Sequence, residues 1–172
     1  MTAESANSTA IVLRPPVKDD GYRLHQLVAE CPPLDPNSIY CNLLQCSHFA
    51  ETGVAAEKDG DLVGFISGYI PPRQPETVFV WQVAVHEKGR GAGLAKRMLK
   101  DIVARDACSN VTHMETTITG DNEASWALFR SFARDMGAEL TYHEHFEKEV
   151  HFGGHHDSEF LLRIGPFSEH NA

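Results

Sequence analysis

The segment from Val83 to Leu99, VAVHEKGRGAGLAKRML, places three glycines at alternate positions between a short apolar stretch and a helical pattern. Leu94, Met98 and Leu99 recur at helical spacing, so a helix is expected to begin directly after the last glycine. The first N–H groups of a helix lack intrahelical acceptors, and this positive end of the helix dipole attracts anions. Glycines at 89, 91 and 93 would let phosphate oxygens approach these donors. The segment therefore predicts a strand, a phosphate-binding loop and a helix.

Two familiar phosphate-binding motifs do not fit this loop. A Walker A loop requires Gly-Lys followed by Ser or Thr, and the dinucleotide fingerprint requires glycine where Leu94 stands. A glycine-rich turn that only caps the helix stays open as the alternative.

The composition of the chain indicates one globular domain. Its 172 residues are 42% hydrophobic and 23% charged, which suits one core with little room for a second. The sequence contains neither a long apolar run nor a basic segment followed by an apolar one at its start, so we expect a cytoplasmic protein without a membrane span. The four cysteines show no CxxC spacing and are expected to be reduced thiols.

The charge of the chain argues against a nucleic-acid partner. The formal net charge is -9 and the isoelectric point is about 5.5, whereas binding to a phosphate backbone requires a clustered basic face.

Periodicity and breaker residues predict an α/β domain over residues 11–167, with loose tails at 1–10 and 168–172. The expected order is β, α, α, β, β, β, α, β, α, β, β. Strands are expected at 11–14, 53–58, 61–70, 77–85, 113–119, 139–146 and 159–164. Helices are expected at 19–30, from a cap at Asn37 or Ser38 through Cys46, at 94–107 and at 122–136. The apolar faces of the first two helices are expected to carry Tyr22, Leu24, Leu27, Val28, Tyr40, Leu43 and Leu44.

KGRGAG at 88–93 closely resembles the Arg/Gln-x-x-Gly-x-Gly/Ala loop that binds acyl-CoA pyrophosphate in the GNAT acetyltransferase superfamily. DNEASWALF at 121–129 is similar to the Asn-x-x-Ala-x-x-Leu-Tyr segment of that superfamily. The resemblance implies a central, mixed and mostly antiparallel twisted sheet of about seven strands with helices on both faces. It also implies acetyl-CoA as cosubstrate, held at Val83, Ala84, Val85, Lys88, Gly89, Arg90, Gly91, Ala92, Gly93, Asn122 and Phe129.

Two of these positions depart from a simple match. Lys88 replaces the usual first residue of the loop motif, which matters little if backbone amides of 88–93 do most of the holding. Phe129 replaces the tyrosine that often serves the family as general acid, and a phenyl ring cannot donate a proton. Asn122 is implied to meet the pantetheine arm, and it is also a plausible helix cap with Ser125 three residues on.

Further segments look like the L-2,4-diaminobutyrate acetyltransferases of ectoine biosynthesis. They are CPPLDPNSIYCNLL, GFISGYI, FVWQVAV, ETTITGDNEASWALF and HDSEFLLRIGPF, spread between residues 31 and 167. PPLDPNS and WQVAV are far more specific than the coenzyme loop. This resemblance implies acetylation of the side-chain amine of L-2,4-diaminobutyrate, by direct attack in a ternary complex, in an enzyme that forms a homodimer.

The chemistry needs a base, because a lysine-like amine has a reference pKa of about 10.4 and supplying its neutral form at pH 7 costs roughly 4–5 kcal/mol. Tyr40, His156 and Glu159 are the candidates for this role. Asp35, Tyr40, Trp81 and His156 are expected to line the diamine site. The leaving thiolate resembles a cysteine thiolate with a pKa of about 8.5, so it needs little acid assistance. A backbone N–H near Val83 is expected to polarise the thioester carbonyl.

Plainer explanations exist for several of these residues. Asp35 lies in Asp-Pro-Asn-Ser, which is ordinary turn and cap chemistry. By strand alternation Trp81 shares a face with Phe79 and Val83, as a core residue would. Six of the ten histidines fall between 143 and 170, which suggests metal binding, but no recognisable ligand set accompanies them and no metal is expected.

Alternatives stay open for the identity of the acceptor and for the residues that bind the substrate carboxylate. In one alternative, the enzyme acetylates another small diamine or amino acid. In the other, the chain is a non-catalytic acyl-CoA sensor, an alternative that the missing tyrosine at Phe129 motivates. Arg73, Arg130 and Ser38 are unranked candidates for binding the substrate carboxylate. Glu115 lies on a strand beside the cofactor without an assigned role.

Overall fold

The computed structural model describes residues 10–168, which form one seven-stranded sheet with helices on both faces. In spatial order the strands are β1, β2, β3, β4, β5, β7 and β6. They span β1 Val12–Arg14, β2 Val54–Lys58, β3 Asp61–Tyr69, β4 Thr77–Val85, β5 His113–Thr119, β6 Leu140–Phe146 and β7 Glu159–Ile164. The helices are α1 Gly21–Ala29, α2 Ile39–Ser47, α3 Leu94–Val103 and α4 Glu123–Asp135. Among the described strands, only the β4–β5 pair is parallel.

The predicted element order is confirmed, and the bounds differ mainly at helix ends. α3 ends at Val103 rather than 107, because a separate 3-10 turn, Asp106–Cys108, follows it. The segment predicted as one helix over 19–30 begins as a 3-10 turn, Lys18–Asp20, before α1. The predicted tails at 1–10 and 168–172 lie almost wholly outside the described residues.

Alternating strand residues divide the core into two layers. Val54, Ala56 and Ile66 face α3 and α4, where Met98 and Phe132 are fully buried. Intervening residues such as Ala55 and Phe65 face α1 and α2 instead. Both faces of the sheet are therefore covered.

The second helix buries a polar face, which contradicts the apolar face predicted for it. Ser38 caps the helix by accepting from the Cys41 N–H at 3.1 Å. Asn42 and Gln45 are buried and joined by a 3.0 Å hydrogen bond, whereas Tyr40 and Leu43 are exposed. Tyr22 of α1 is likewise exposed. The Asn42–Gln45 bond satisfies one donor of Asn42 and the carbonyl oxygen of Gln45, two side chains that the sequence pattern placed outside.

A bulge in β4 opens the sheet. In the β3–β4 register Ser67 faces Gln82 and Gly68 faces Val80, so Trp81 is the extra, unmatched residue. The parallel pairing of β4 with β5 ends at Val80 and Thr116. Since a bulge bends its strand, β4 and β5 diverge from Trp81 onward and leave a fork between them.

The bulge also changes which face each β4 residue occupies. Val78 and Val80 pack on the α3 and α4 side before the bulge, and Val83 and Val85 pack there after it. The prediction that Trp81 shares a face with both Phe79 and Val83 is therefore wrong, because one inserted residue reverses the alternation.

A buried ion-pair network anchors the start of the domain. Asp20 is 1% exposed and accepts from Arg14 at 2.7 and 2.8 Å, from Arg23 at 3.2 Å and from the Val17 N–H at 2.8 Å. Both arginines also contact Glu57 on β2. The network therefore ties β1 and α1 to the sheet. Within residues 10–168, no helix combines the length and apolarity that crossing a membrane requires.

Candidate active site

The fork between β4 and β5 contains a cavity of about 920 Å³, here called the fork channel. Its walls are the diverging strands, with Val83 and Val85 on one side and Thr116 to Thr119 on the other. The start of α4 and the loop between β6 and β7 complete it. The channel is thus a direct product of the Trp81 bulge.

A second cavity of about 390 Å³ lies at the N-terminus of α3 and is called the loop cavity. It shares the lining residues Val85 and Arg90 with the fork channel, so the two cavities adjoin. Gly91 and Gly93 have φ of 89° and 63°, and a Cβ added to either would meet nothing within 4 Å. The bare backbone is therefore open on this side, as an approaching phosphate group requires.

Two details of the predicted loop differ from expectation. Gly89 is a packing glycine, since an added Cβ would lie 2.9 Å from Leu94 Cδ2 and 3.1 Å from the Val63 oxygen. The N–H groups of residues 88–90 already donate, to His86 Nδ1, the His86 oxygen and the Glu87 oxygen respectively. The donors left for an anion are therefore those of residues 91–93 and the first turn of α3.

Three predicted cofactor positions do not line these cavities. The Lys88 side chain lies on the far side of the loop, 3.6 Å from Asp61. Ala84 is buried in the layer under α1 and α2 rather than lining the channel. Ala92 is exposed and lines neither the fork channel nor the loop cavity. Arg90 remains the cationic side chain shared by both cavities.

A third cavity of about 510 Å³ lies on the α1 and α2 side of the sheet and is called the aromatic pocket. The Tyr69 ring lies 5.3 Å from Phe79 and 6.0 Å from Trp81, between ring centroids. The pocket shares a wall with the fork channel, formed by Asp35, Trp81, Gln82, Thr117 and Glu159. A ligand bound in the channel and a ligand bound in the pocket would both contact the residues of this shared wall.

Three predicted site residues therefore lie together, Asp35, Trp81 and Glu159. Trp81 is 42% exposed and is not a core residue, because the bulge turns its ring toward the cavities. Gln82 was missed by the sequence reasoning. Its Nε2 donates to the Asp35 carbonyl at 3.0 Å and its Oε1 accepts from Asn37 Nδ2 at 3.4 Å, which fixes the loop that carries Asp35. The sequence feature that could have identified Gln82 is its position as a single amide side chain within the apolar run VFVWQVAV.

His156 lines the fork channel in the β6–β7 loop. Its Nδ1 lies 2.6 Å from the Asp157 carbonyl oxygen. A carbonyl only accepts, so Nδ1 carries the hydrogen and Nε2 of the neutral ring is left with its lone pair. The ring centroid lies 4.6 Å from that of Phe152. Nε2 of this ring can therefore accept a hydrogen bond or a proton.

Tyr40 is the predicted catalytic and substrate-binding residue that the structure does not bring to the others. It is 70% exposed on α2 and lines neither the fork channel nor the aromatic pocket. Arg73, Arg130 and Ser38 also line neither cavity, and Arg130 instead lies over the Trp126 ring at 5.2 Å. Lys148 does line the channel, 3.3 Å from Asp157.

The first turn of α4 closes the channel. Asn122 caps the helix, its Oδ1 accepting from the Ser125 N–H at 3.2 Å, and its side chain also lines the channel. The two predicted roles of Asn122 are therefore compatible. Phe129 is 2% exposed and forms part of the channel wall, an apolar surface with no proton to give.

The backbone of β4 places a donor in the channel. The N–H of Gln82 donates to Ser67 Oγ at 3.2 Å and that of His86 to the Val63 oxygen at 2.8 Å, both toward β3. Successive N–H groups of a strand point to opposite neighbours. The N–H of Val83 therefore points into the fork, where β5 no longer pairs with it.

The possible metal ligands and the thiols of residues 10–168 bear on what the site can do chemically. Within residues 10–168, no group of three or more His, Cys, Asp or Glu side chains is placed to hold a metal ion. All four cysteines are free. Burial raises the pKa of the Cys46 thiol to about 12, and burial likewise raises that of Cys108.

Comparison with known proteins shows the family to which the chain belongs. The model of the Acetyltransferase (GNAT) family matches residues 21–133. The L-2,4-diaminobutyric acid acetyltransferase of Methylotuvimicrobium alcaliphilum is 52% identical over 157 residues, 91% of each chain. That of Vibrio cholerae is 48% identical over 153 residues, 89% of this chain and 88% of the relative.

Solved structures give the same family. Diaminobutyrate acetyltransferase EctA from Paenibacillus lautus, in complex with its substrate L-2,4-diaminobutyric acid and coenzyme A, superposes with a TM-score of 0.88 at 40% identity, over 95% of this chain and 99% of that one. The ribosomal-protein-S18-alanine N-acetyltransferase of Escherichia coli, at 12% identity and a TM-score of 0.67 over 95% and 99%, shares the fold alone. This chain therefore belongs to the GNAT family of acetyltransferases and, within it, to the L-2,4-diaminobutyric acid acetyltransferases.

Proposed function

We propose that this chain transfers the acetyl group of acetyl-CoA to the side-chain amine of L-2,4-diaminobutyrate, giving N4-acetyl-L-2,4-diaminobutyrate. The observation that carries the proposal is that the three cavities adjoin one another. The loop cavity meets the fork channel at Val85 and Arg90, and the channel meets the aromatic pocket at the shared wall. An anionic thioester and a cationic amine are thereby led to one place from opposite faces of the sheet.

Acetyl-CoA fits the loop cavity and the channel. The free N–H groups of residues 91–93 and of the first turn of α3 would bind its diphosphate, with Arg90 supplying positive charge. The fork, with Asn122 and Phe129 on its wall, would hold the pantetheine arm. The Val83 N–H would donate to the thioester oxygen, where negative charge develops during attack.

The amine must lose a proton before it attacks. His156 Nε2 and the Glu159 carboxylate both lie on the channel wall and would accept that proton directly or through a water. Asp35 and Trp81 would attract the ammonium into the shared wall through charge and the ring face. Attack on the thioester carbon then forms the amide bond and breaks the carbon–sulfur bond, and the electron pair leaves on sulfur as thiolate.

We place this reaction in ectoine biosynthesis, in the cytoplasm of a salt-stressed cell, and in a homodimer. The pathway follows from the EctA name of the Paenibacillus relative. A dimer is supported by the edge strand β6, whose second side has no partner strand in residues 10–168 and whose Tyr142 is 56% exposed. A mass twice the 19.1 kDa of one chain in light scattering would agree with it, and a monomer mass would contradict it.

The proposed function is tested by thiol release from acetyl-CoA with L-2,4-diaminobutyrate, ornithine, lysine, putrescine or no amine. Release is expected to be fastest with diaminobutyrate, because its second ammonium and its carboxylate are held close to the reacting amine. Faster release with another amine would keep the fold and discard the substrate. Bound acetyl-CoA without release for any amine would favour a non-catalytic acyl-CoA sensor.

The loop assignment predicts the effect of Gly93→Val. Gly93 is in the left-handed region, and an added side chain would project into space that is open in this chain. We expect the KM for acetyl-CoA to rise roughly tenfold or more, since the donors would be shielded and the turn strained. Steady-state kinetics with varied acetyl-CoA measures this change.

Gly60→Val is the matched control for that variant. Gly60 also has a positive φ, 81°, and open space around it, but it lies in the β2–β3 turn. Backbone strain alone would act equally in the two variants. An unchanged KM for acetyl-CoA in Gly93→Val would remove the loop from cosubstrate binding.

A further inference from the structure

Glu115 is a buried carboxylate of the aromatic pocket that the mechanism above does not use. It lies on β5 beside Phe79 of β4 and Arg163 of β7, and it is 7% exposed. Strand alternation places it on the same face as Thr117, which belongs to the shared wall. Glu115 therefore lies one step deeper in the pocket than the point where the two substrates meet.

One oxygen of this carboxylate is held and the other is available. Arg163 Nη1 donates to Glu115 Oε1 at 2.7 Å and to Thr77 Oγ1 at 3.2 Å, which fixes the carboxylate in place. Across residues 10–168, Oε2 makes no hydrogen bond. Among residues 10–168, Gln45 Nε2 is the one side-chain nitrogen or oxygen that is both fully enclosed and without a hydrogen-bond partner, so Glu115 Oε2 is not fully enclosed. Oε2 is therefore not sealed in the protein but faces the pocket that its residue lines.

The rest of the pocket favours a cation beside that oxygen. Phe79, Tyr69 and Trp81 supply aromatic rings, and Asp35 and Glu159 supply further carboxylates. None of the described residues that line the pocket is a lysine or an arginine. Aromatic faces and carboxylates together attract an ammonium group and repel an anion.

We infer that Glu115 binds the second, non-reacting ammonium group of the diamine and thereby selects a diamine over a monoamine. This inference rests on the proposed function. Two residues along a strand span about 6.6 Å, and a charge-assisted bond to a carboxylate is about 2.8 Å long. A short diamine with its reacting amine at Thr117 can therefore reach Glu115 with its other ammonium. Arg163 is then a positioning residue, which holds the carboxylate ready.

The test compares Glu115→Gln with the unchanged enzyme on two acceptors. L-2,4-Diaminobutyrate carries the second ammonium, and 4-aminobutyrate has the same carboxylate and the same reacting amine without it. For Glu115→Gln we expect kcat/KM with diaminobutyrate to fall roughly 10- to 100-fold, mostly through KM, because a charge-assisted bond is lost. The value with 4-aminobutyrate and the KM for acetyl-CoA are expected to stay within about twofold.

Two further variants separate binding from a structural role. Glu76→Gln removes the other carboxylate near Arg163, 3.9 Å from it, without touching the pocket, and should keep the preference for diaminobutyrate. Glu115→Gln combined with Arg163→Gln removes the unpaired guanidinium, so a merely structural defect would be repaired, whereas the lost preference for the diamine should persist.

The outcomes are distinguishable. If the unchanged enzyme releases thiol with diaminobutyrate and Glu115→Gln retains the full preference over 4-aminobutyrate, the inference is wrong and the proposed function stands. Recovery of the preference in the double variant would also overturn the inference. Absence of release by the unchanged enzyme would overturn the proposed function and the inference with it.

Discussion

Replacing His156 by alanine is expected to lower kcat by about 100- to 10,000-fold, the range that general-base catalysis contributes. The ring lines the fork channel with Nδ1 bound to the Asp157 carbonyl and Nε2 free. The KM for acetyl-CoA should change little, because the groups proposed to bind its diphosphate lie in the glycine loop and the first turn of α3, not in the β6–β7 loop. Stopped-flow or steady-state thiol release with saturating acetyl-CoA measures the change.

The pH profile adds a second readout for His156. As the pH rises toward the pKa of the amine, about 10.4 for a lysine-like group, free amine forms without a protein base. The deficit of His156→Ala should therefore shrink at high pH. His143→Ala is the matched control, since His143 is an exposed histidine on β6 that lines neither cavity. Turnover as fast as in the unchanged enzyme would remove His156 from the mechanism and leave Glu159 as the base.

Replacing Asp20 by asparagine is expected to lower the free energy of unfolding by about 2–3 kcal/mol. Breaking a fully buried ion pair costs about 3–5 kcal/mol, and the smaller figure reflects the partial exposure of both arginine side chains, 27% for Arg14 and 35% for Arg23. For a domain of this size the loss corresponds to about 5–10 °C in Tm. Thermal unfolding followed by circular dichroism measures the shift.

The stability contributed by Asp20 depends on pH with a definite sign. Burial alone would raise the pKa of this carboxyl, but hydrogen bonds from Arg14 and from the Val17 N–H outweigh it and hold the pKa below its ordinary value of 3.8. The stabilisation is therefore complete above that ordinary value and is lost as the pH falls through the lowered pKa. The difference between Asp20→Asn and the unchanged chain should shrink in acid.

Asp19→Asn is the control for that measurement. Asp19 precedes Asp20 in the same turn, but its side chain is exposed and outside the ion-pair network. If Asp19→Asn and Asp20→Asn destabilise the chain equally, the network is not what anchors β1 and α1.

The features that the sequence predicts correctly are those that short-range patterns determine. The helix after the glycines, the cap predicted at Asn37 or Ser38 and the cap at Asn122 each depend on a few adjacent residues. The structure shows all three, with Ser38 as the cap of α2. The strand bounds of β5 and β7 also match. Their β-branched and apolar runs leave no competing helical period.

The features that the sequence does not predict depend on distant partners. The extra residue at Trp81 exists only relative to Ser67 and Gly68 on β3, and it alone reverses the faces of β4. Gly89 is needed because Val63 and Leu94 come close to it, which no local pattern reveals. The free oxygen of Glu115 is visible only after β7 has brought Arg163 to its other side.

The central claim is that thioester and diamine meet at the wall shared by the fork channel and the aromatic pocket. A crystal structure of this protein with coenzyme A and L-2,4-diaminobutyrate tests it most directly. We expect the coenzyme sulfur in the fork beside Val83, and the side-chain amine on the other side of the wall near Trp81 and Glu159. A diamine bound outside both cavities, or a coenzyme that enters without using the glycine loop, would contradict it.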